Sequence, residues 1–194
     1  MPLRTFIVFL LLVIGSCKQT YVNPRVQIDT RYGEMELELY PAQAPASVAA
    51  FLAYVDSGLY KNASFYRVLN DENQPSNAFK SRLVQGGIWQ SNYQKSIKLP
   101  GIVHESTNQT HILHKNGTIS LARQAPGTAS TEFFICLGNQ PGFDYGGKNN
   151  PDGQGYAAFG KVVKGMDVVQ KIYNAPENDQ SFTPPVDIYR IIRL

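Results

Sequence analysis

Met35, Leu37 and Leu39 alternate with Glu34, Glu36 and Glu38. Successive side chains of a strand point to opposite faces, so this is a half-buried strand with one acidic, solvated side. Val26-Gln-Ile28-Asp alternates in the same way, and Arg31-Tyr32-Gly33 supplies a turn, which predicts a hairpin. The period then changes. Behind Pro45, residues Val48, Phe51, Leu52 and Val55 follow the i, i+3, i+4, i+7 spacing of an amphipathic helix that stops at Gly58. Further strands are predicted at 64–69, 82–85, 117–122, 132–137 and 157–162. A second helix at 166–173 turns Val168, Val169 and Ile172 inward, and 186–194 forms a closing strand. The stretches 70–81 and 144–155 are polar and turn-rich and read as loops. Many short strands with a helix near each end predict a mostly β fold, a barrel capped by helices.

The N-terminus follows another pattern. Arg4 precedes an unbroken apolar run over 6–14, too short to span a bilayer as a helix, which takes about 20 residues, and suited to the h-region of a secretory signal. The run ends in Ile14-Gly15-Ser16-Cys17, which resembles the lipobox of bacterial lipoproteins. That resemblance implies cleavage before Cys17, acyl chains such as palmitate on Cys17, and a mature protein anchored to a membrane rather than spanning it. A plain secretory signal with a chance cysteine is the alternative. The expected organisation is a signal peptide at 1–16, a lipidated cysteine and tether at 17–24, and one domain at 25–194. Lys18, where an aspartate would suggest inner-membrane retention, favours the outer membrane of a bacterial envelope, facing the periplasm.

Composition narrows the function classes. A chain of 194 residues with 43% hydrophobic and 17% charged residues has enough apolar mass for one sizeable core and too little charge for a self-repelling, disordered chain. The net charge is +3, with lysines and arginines scattered rather than in runs, so nucleic acid is not an expected partner. Cys136 lies within Phe133-Phe134-Ile135-Cys136-Leu137 and reads as a small buried hydrophobe. His104, His111 and His114 come without a further pair of ligands, so no metal site is expected and the histidines read as surface or loop residues. Gly146-Gly147-Lys148 is followed by no Ser or Thr and is no phosphate loop.

Five strings then occur in order: Phe65-Tyr66-Arg67-Val68-Leu69, Gln85-Gly86-Gly87, Gly117-Thr118-Ile119-Ser120-Leu121-Ala122-Arg123, Glu132-Phe133-Phe134-Ile135, and the segment from Gly155 through Phe159-Gly160-Lys161 to Asp167. Together they resemble the cyclophilins, most closely the bacterial extracytoplasmic branch. The resemblance implies a closed, antiparallel, eight-stranded β-barrel capped by two α-helices. It implies cis/trans isomerisation of Xaa-Pro bonds without cofactor or metal. The implied partners are proline-containing unfolded or folding polypeptides and a cyclosporin-like ligand, with the protein acting as a monomer.

The residue types suit that chemistry. An amide C–N bond has partial double-bond character and a rotation barrier of about 18–20 kcal/mol. Lowering it takes no nucleophile, only better binding of the twisted amide than of either planar form. The resemblance assigns the catalytic positions to Arg67, Gln85 and Phe134. Arg67 donates to the imide nitrogen, Gln85 positions Arg67 and holds substrate backbone, and Phe134 is the floor of the proline pocket. It assigns substrate binding to Leu83 and Phe143 as apolar walls, to Ala122 and Arg123 as the segment pairing with substrate backbone, and to Glu132 and Tyr156. Glu132 stands where the family usually has glutamine. It places a carboxylate by the groove, either paired with Arg67 or receptive to basic substrates. Arg82 stands where a pocket phenylalanine is common, which implies a less apolar pocket, with Phe79 of the preceding loop filling in. A groove of this kind fits an enzyme for exported proteins. The second reading is a binding module that grips proline segments but has lost turnover through Glu132 and Arg82. Labelled palmitate is expected to enter the wild-type protein and to be absent from Cys17→Ala, read by autoradiography of whole cells.

Overall fold

The computed structural model describes residues 21–194, so Cys17 and the predicted signal peptide lie outside the described residues. The predicted hairpin forms: β1 (Arg25–Thr30) pairs antiparallel with β2 (Gly33–Leu39), Ile28 opposite Met35 and Val26 opposite Leu37. The remaining strands are β3 (Ser64–Leu69), β4 (Leu83–Gly87), β5 (Thr118–Leu121), β6 (Phe133–Cys136), β7 (Ala157–Lys164), β8 (Glu177–Asn178) and β9 (Ser181–Arg193). Their order is β1-β2-β7-β5-β6-β4-β3-β9-β8, and β1 also pairs with β9. That last pairing closes eight strands into an antiparallel barrel, with the short β8 hanging on β9 as a hairpin.

Strand β4 starts one residue later than predicted, although the Arg82 carbonyl still accepts from the Leu137 amide at 2.9 Å. Strand β9 starts at Ser181 rather than at 186. The added segment contains Pro184 and Pro185, which give no ladder N–H. The two-residue β8 and the single-turn helices α2 (Tyr93–Ser96) and α3 (Thr107–Thr110) are too short to leave a periodic signal.

Helix α1 (Pro45–Asp56) buries Val48, Phe51, Leu52 and Val55, and α4 (Met166–Tyr173) buries Val168, Val169 and Ile172, as their spacing predicts. Helix α1 lies against β7 and β9, and α4 against β2 and β4. The α1 N-terminus has no side-chain cap of its own. Glu105 supplies one from a distant loop, accepting from the Ala46 and Ser47 amides at 3.0 and 2.8 Å and from Ser47 Oγ at 2.7 Å. A carboxylate there satisfies orphan donors and complements the positive end of the helix dipole.

Alternation sorts side chains between two apolar clusters. Val84, Phe133 and Ile135 point into the main core, which α1 and α4 complete. Leu83, Phe134 and Cys136 point to the other side of the same strands and join Phe143 in a second, smaller cluster. Phe133 anchors the first, with edge-on contacts to Phe51, Tyr60 and Phe65 at ring-centroid distances of 5.9, 5.8 and 5.8 Å. Phe133→Ala is expected to cost about 3–5 kcal/mol of stability, because it removes a fully buried ring and leaves a cavity. Urea unfolding of the two proteins measures it.

Candidate active site

The second cluster is the floor of an open groove of about 890 Å³ on the outer wall of the barrel. Register places its key residues. Arg67 on β3 faces Gln85 on β4, and Gln85 faces Phe134 on β6. Three side chains far apart in sequence thus form one outward-facing row. A β-bulge in β3 falls between Phe65 and Arg67. The bulge makes Tyr66 and Arg67 share Gln85 as neighbour, which aims two successive side chains at the same amide.

All nine residues assigned to substrate handling or catalysis line this groove: Arg67, Gln85, Phe134, Leu83, Ala122, Arg123, Glu132, Phe143 and Tyr156. The Phe134, Phe143 and Tyr156 rings meet at centroid distances of 5.2, 5.5 and 5.3 Å, tilted or edge-on, and make an apolar seat together with Leu83. Burial raises the Tyr156 phenol above its ordinary pKa and the Cys136 thiol far above its own, so both stay neutral.

Arg67 is held at both edges. Its Nε and Nη2 donate to Gln180 Oε1 at 3.1 and 2.7 Å, and its Nη1 donates to Gln85 Oε1 at 3.4 Å. A guanidinium has five N–H donors. Three are used here, and two remain for a bound peptide. Gln180 escaped the sequence reading. It sits in the β8–β9 turn, where Asp179 and Gln180 both have positive φ, 48° and 70°, as a tight hairpin turn requires. The signal was the Asn178-Asp179 pair, which marked a turn without saying that the next side chain reaches back to β3.

Glu132 does not pair with Arg67. Its carboxylate is turned inward, where Oε1 accepts from the Ile88 and Trp89 amides at 3.0 and 3.1 Å and from Thr131 Oγ1 at 2.9 Å, and Oε2 accepts from the Tyr66 hydroxyl at 2.7 Å. Burial raises its pKa and these hydrogen bonds oppose the rise. Arg82 also misses the expected place. It is exposed, forms an ion pair with Asp71, and does not line the groove. Without it the pocket keeps an apolar floor and walls. Phe79 stands at the rim, 60% exposed beneath Lys148 Nζ at 5.2 Å, rather than filling the pocket. The two predicted loops are tied there: Asn149 Nδ2 donates to Phe79 O at 3.0 Å and also to Ser81 Oγ.

Arg123 spends its guanidinium on the loop 144–155. It pairs with both Asp152 oxygens at 2.6 and 2.9 Å, donates to Gly155 O through Nε at 2.9 Å, and lies 5.0 Å from the Tyr156 ring centroid. Those bonds hold the Asp152 carboxyl down at about 2. The arginine thus braces the pocket wall, while the Ala122 amide donates to Glu132 O at 2.9 Å. His114 lies in a loop, one of the two places expected for it, but not on the surface. Its ring is 1% exposed and stacked on Phe134 at 5.9 Å and 13°. Its Nδ1 meets Asp144 Oδ1 at 2.8 Å and its Nε2 meets Ser120 Oγ at 3.0 Å. Ser120 is fully buried, so this row supports the floor and offers no nucleophile.

A closed β-barrel carrying an arginine beside an aromatic, apolar seat on its outer wall defines a peptide-binding protein of the proline-isomerase kind. A family model described as "Cyclophilin type peptidyl-prolyl cis-trans isomerase/CLD" matches residues 25–193. The chain is 34% identical over 155 residues to a peptidyl-prolyl cis-trans isomerase of Acinetobacter baylyi, covering 79% of this chain and 74% of that protein. It is 34% identical over 149 residues to peptidyl-prolyl cis-trans isomerase B of Escherichia coli, covering 76% and 82%. A crystal structure of a cyclophilin type peptidyl-prolyl cis-trans isomerase from Cryptosporidium parvum superposes with a TM-score of 0.68 at 23% identity, covering 89% of this chain and 98% of that one. The chain belongs to the cyclophilin-type peptidyl-prolyl cis-trans isomerase family. Gln180→Ala frees one edge of Arg67 and is expected to lower kcat/KM on a Xaa-Pro peptide about tenfold, with an unchanged far-UV spectrum. A protease-coupled assay measures it.

Proposed function

We propose that this protein catalyses cis/trans isomerisation of Xaa-Pro bonds in polypeptides that fold outside the bacterial cytoplasm, from a lipid anchor at Cys17. One observation carries the catalytic part: Arg67 is clamped by Gln85 and Gln180 with two N–H donors left over, in the same groove as the Phe134 seat. The proline ring of a bound segment packs on Phe134, Phe143 and Leu83. Arg67 donates to the imide nitrogen, whose lone pair becomes available only as conjugation is lost. That bond is stronger to the twisted amide than to either planar form, which is the condition for lowering the barrier. A hydrogen bond from a charged donor contributes about 1.5–3 kcal/mol, or roughly one to two powers of ten in rate.

Two side chains prompted the alternative of a binding module without turnover. Glu132 is bonded to Tyr66 and to backbone amides, and Arg82 to Asp71, so neither blunts Arg67. The setting outside the cytoplasm is supported by the charge, apolar run and lipobox-like end of residues 1–17. Arg67→Ala is expected to reduce kcat/KM on a Xaa-Pro peptide at least about tenfold while retaining peptide binding, measured by the coupled assay beside a binding titration. Equal rates for the two proteins contradict the role of Arg67, and tight binding by a wild type that gives no acceleration supports the module.

A further inference from the structure

We infer that Glu132 and Tyr66 are positioning residues that fix which way round the Gln85 amide faces Arg67. This inference rests on the isomerase reading above. The geometry is a continuous chain: Tyr66 OH donates to Glu132 Oε2 at 2.7 Å, Gln85 Nε2 donates to Tyr66 OH at 2.7 Å, and Arg67 Nη1 donates to Gln85 Oε1 at 3.4 Å.

The direction of the chain follows from its two ends. A carboxylate only accepts and a guanidinium only donates. With Glu132 at one end, the Tyr66 hydrogen points at Oε2, and the phenol oxygen then needs a donor on its other side. The only donor that Gln85 has is its NH2, so its carbonyl is turned toward Arg67. The opposite amide orientation would set the carbonyl oxygen against the phenol oxygen, whose hydrogen is committed to Glu132, on one side and the NH2 against a cation on the other. No neutral hydroxyl or amide at position 132 imposes this polarity, since each of those groups both donates and accepts.

The fold makes room for the device. Glu132 is 9% exposed and sits over Gly87, where any Cβ would overlap the carboxylate. The Ile88 and Trp89 amides and Thr131 hold Oε1, leaving Oε2 to Tyr66. The bulge in β3 delivers Tyr66 and Arg67 to opposite ends of one amide. None of the three steps needs contact between Glu132 and the substrate.

The test is a double-mutant cycle on the full-length protein with Tyr66→Phe and Glu132→Gln, both near-isosteric. Each single variant is expected to lower kcat on a Xaa-Pro peptide about fivefold to tenfold with KM unchanged. Adding Glu132→Gln to Tyr66→Phe is expected to lower it no further, because the chain is already cut. The Gln85 carboxamide protons, read by NMR, report the orientation independently of turnover: slow exchange in the wild type and fast exchange in both variants. Wild-type kcat in Tyr66→Phe, or equal and independent losses for the two substitutions, overturns the inference. So does a rise in KM without loss of kcat. If the wild type gives no acceleration, the isomerase reading fails, and the NMR comparison alone then decides whether the oriented amide exists: unchanged Gln85 exchange across the three proteins overturns it.

Discussion

The pairing of β1 with β9 closes the sheet on itself, and every other feature is arranged around that closure. A closed barrel has no free strand edge and one interior, so each strand commits alternate residues to the inside. Phe133 and Ile135 are taken into the core, and Phe134 and Cys136 are necessarily left for the outer side. In an ordinary barrel those outer positions are polar. Here a second cluster, roofed by Phe143 and Tyr156 from the loop beyond β6, keeps them from water while leaving a mouth. The groove is thus a by-product of alternation at three neighbouring strands, and its floor is as rigid as the ladder that carries it.

Rigidity matters because the reaction asks little of the protein besides placement. No bond is made or broken, and the barrier falls only if a donor is already waiting where the nitrogen becomes pyramidal. A long arginine side chain has about 2 kcal/mol of rotamer entropy to lose. Two glutamines on either edge of Arg67 remove that freedom before the substrate arrives, one through the neighbouring strand and one through the β8–β9 turn. Behind Phe134, the buried His114 and Ser120, with the half-buried Asp144, do the same for the floor through a ring stacked at 13°.

Much of this was legible in the residue pattern. The hairpin at 25–39 and both long helices follow from periodicity alone, and the order of five short strings was enough to expect the barrel; the residues the resemblance assigned to substrate and catalysis lie along one groove of it. What escaped depends on distance in sequence. Glu105 capping α1 and Gln180 clamping Arg67 are single polar residues in loops, with no period and no motif. The two misjudged charges, Glu132 and Arg82, were read as if a charge beside a groove must face it. Local donors decided otherwise: two backbone amides and a tyrosine claimed Glu132, and Asp71 claimed Arg82. His114 was grouped with His104 and His111 as a surface or loop residue because no further ligand pair accompanies them; it lies in a loop but is buried against Phe134.

The rim carries a different message. Asn149 fastens the loop 70–81 to the loop 144–155 across one side of the mouth, and Lys148 rests on Phe79 beside it. None of these groups reaches the interior of the barrel. The aperture is therefore set by a latch between two surface segments rather than by the wall beneath. A change of length or sequence in either loop would reshape the mouth without touching the strands that carry Arg67, Gln85 and Phe134.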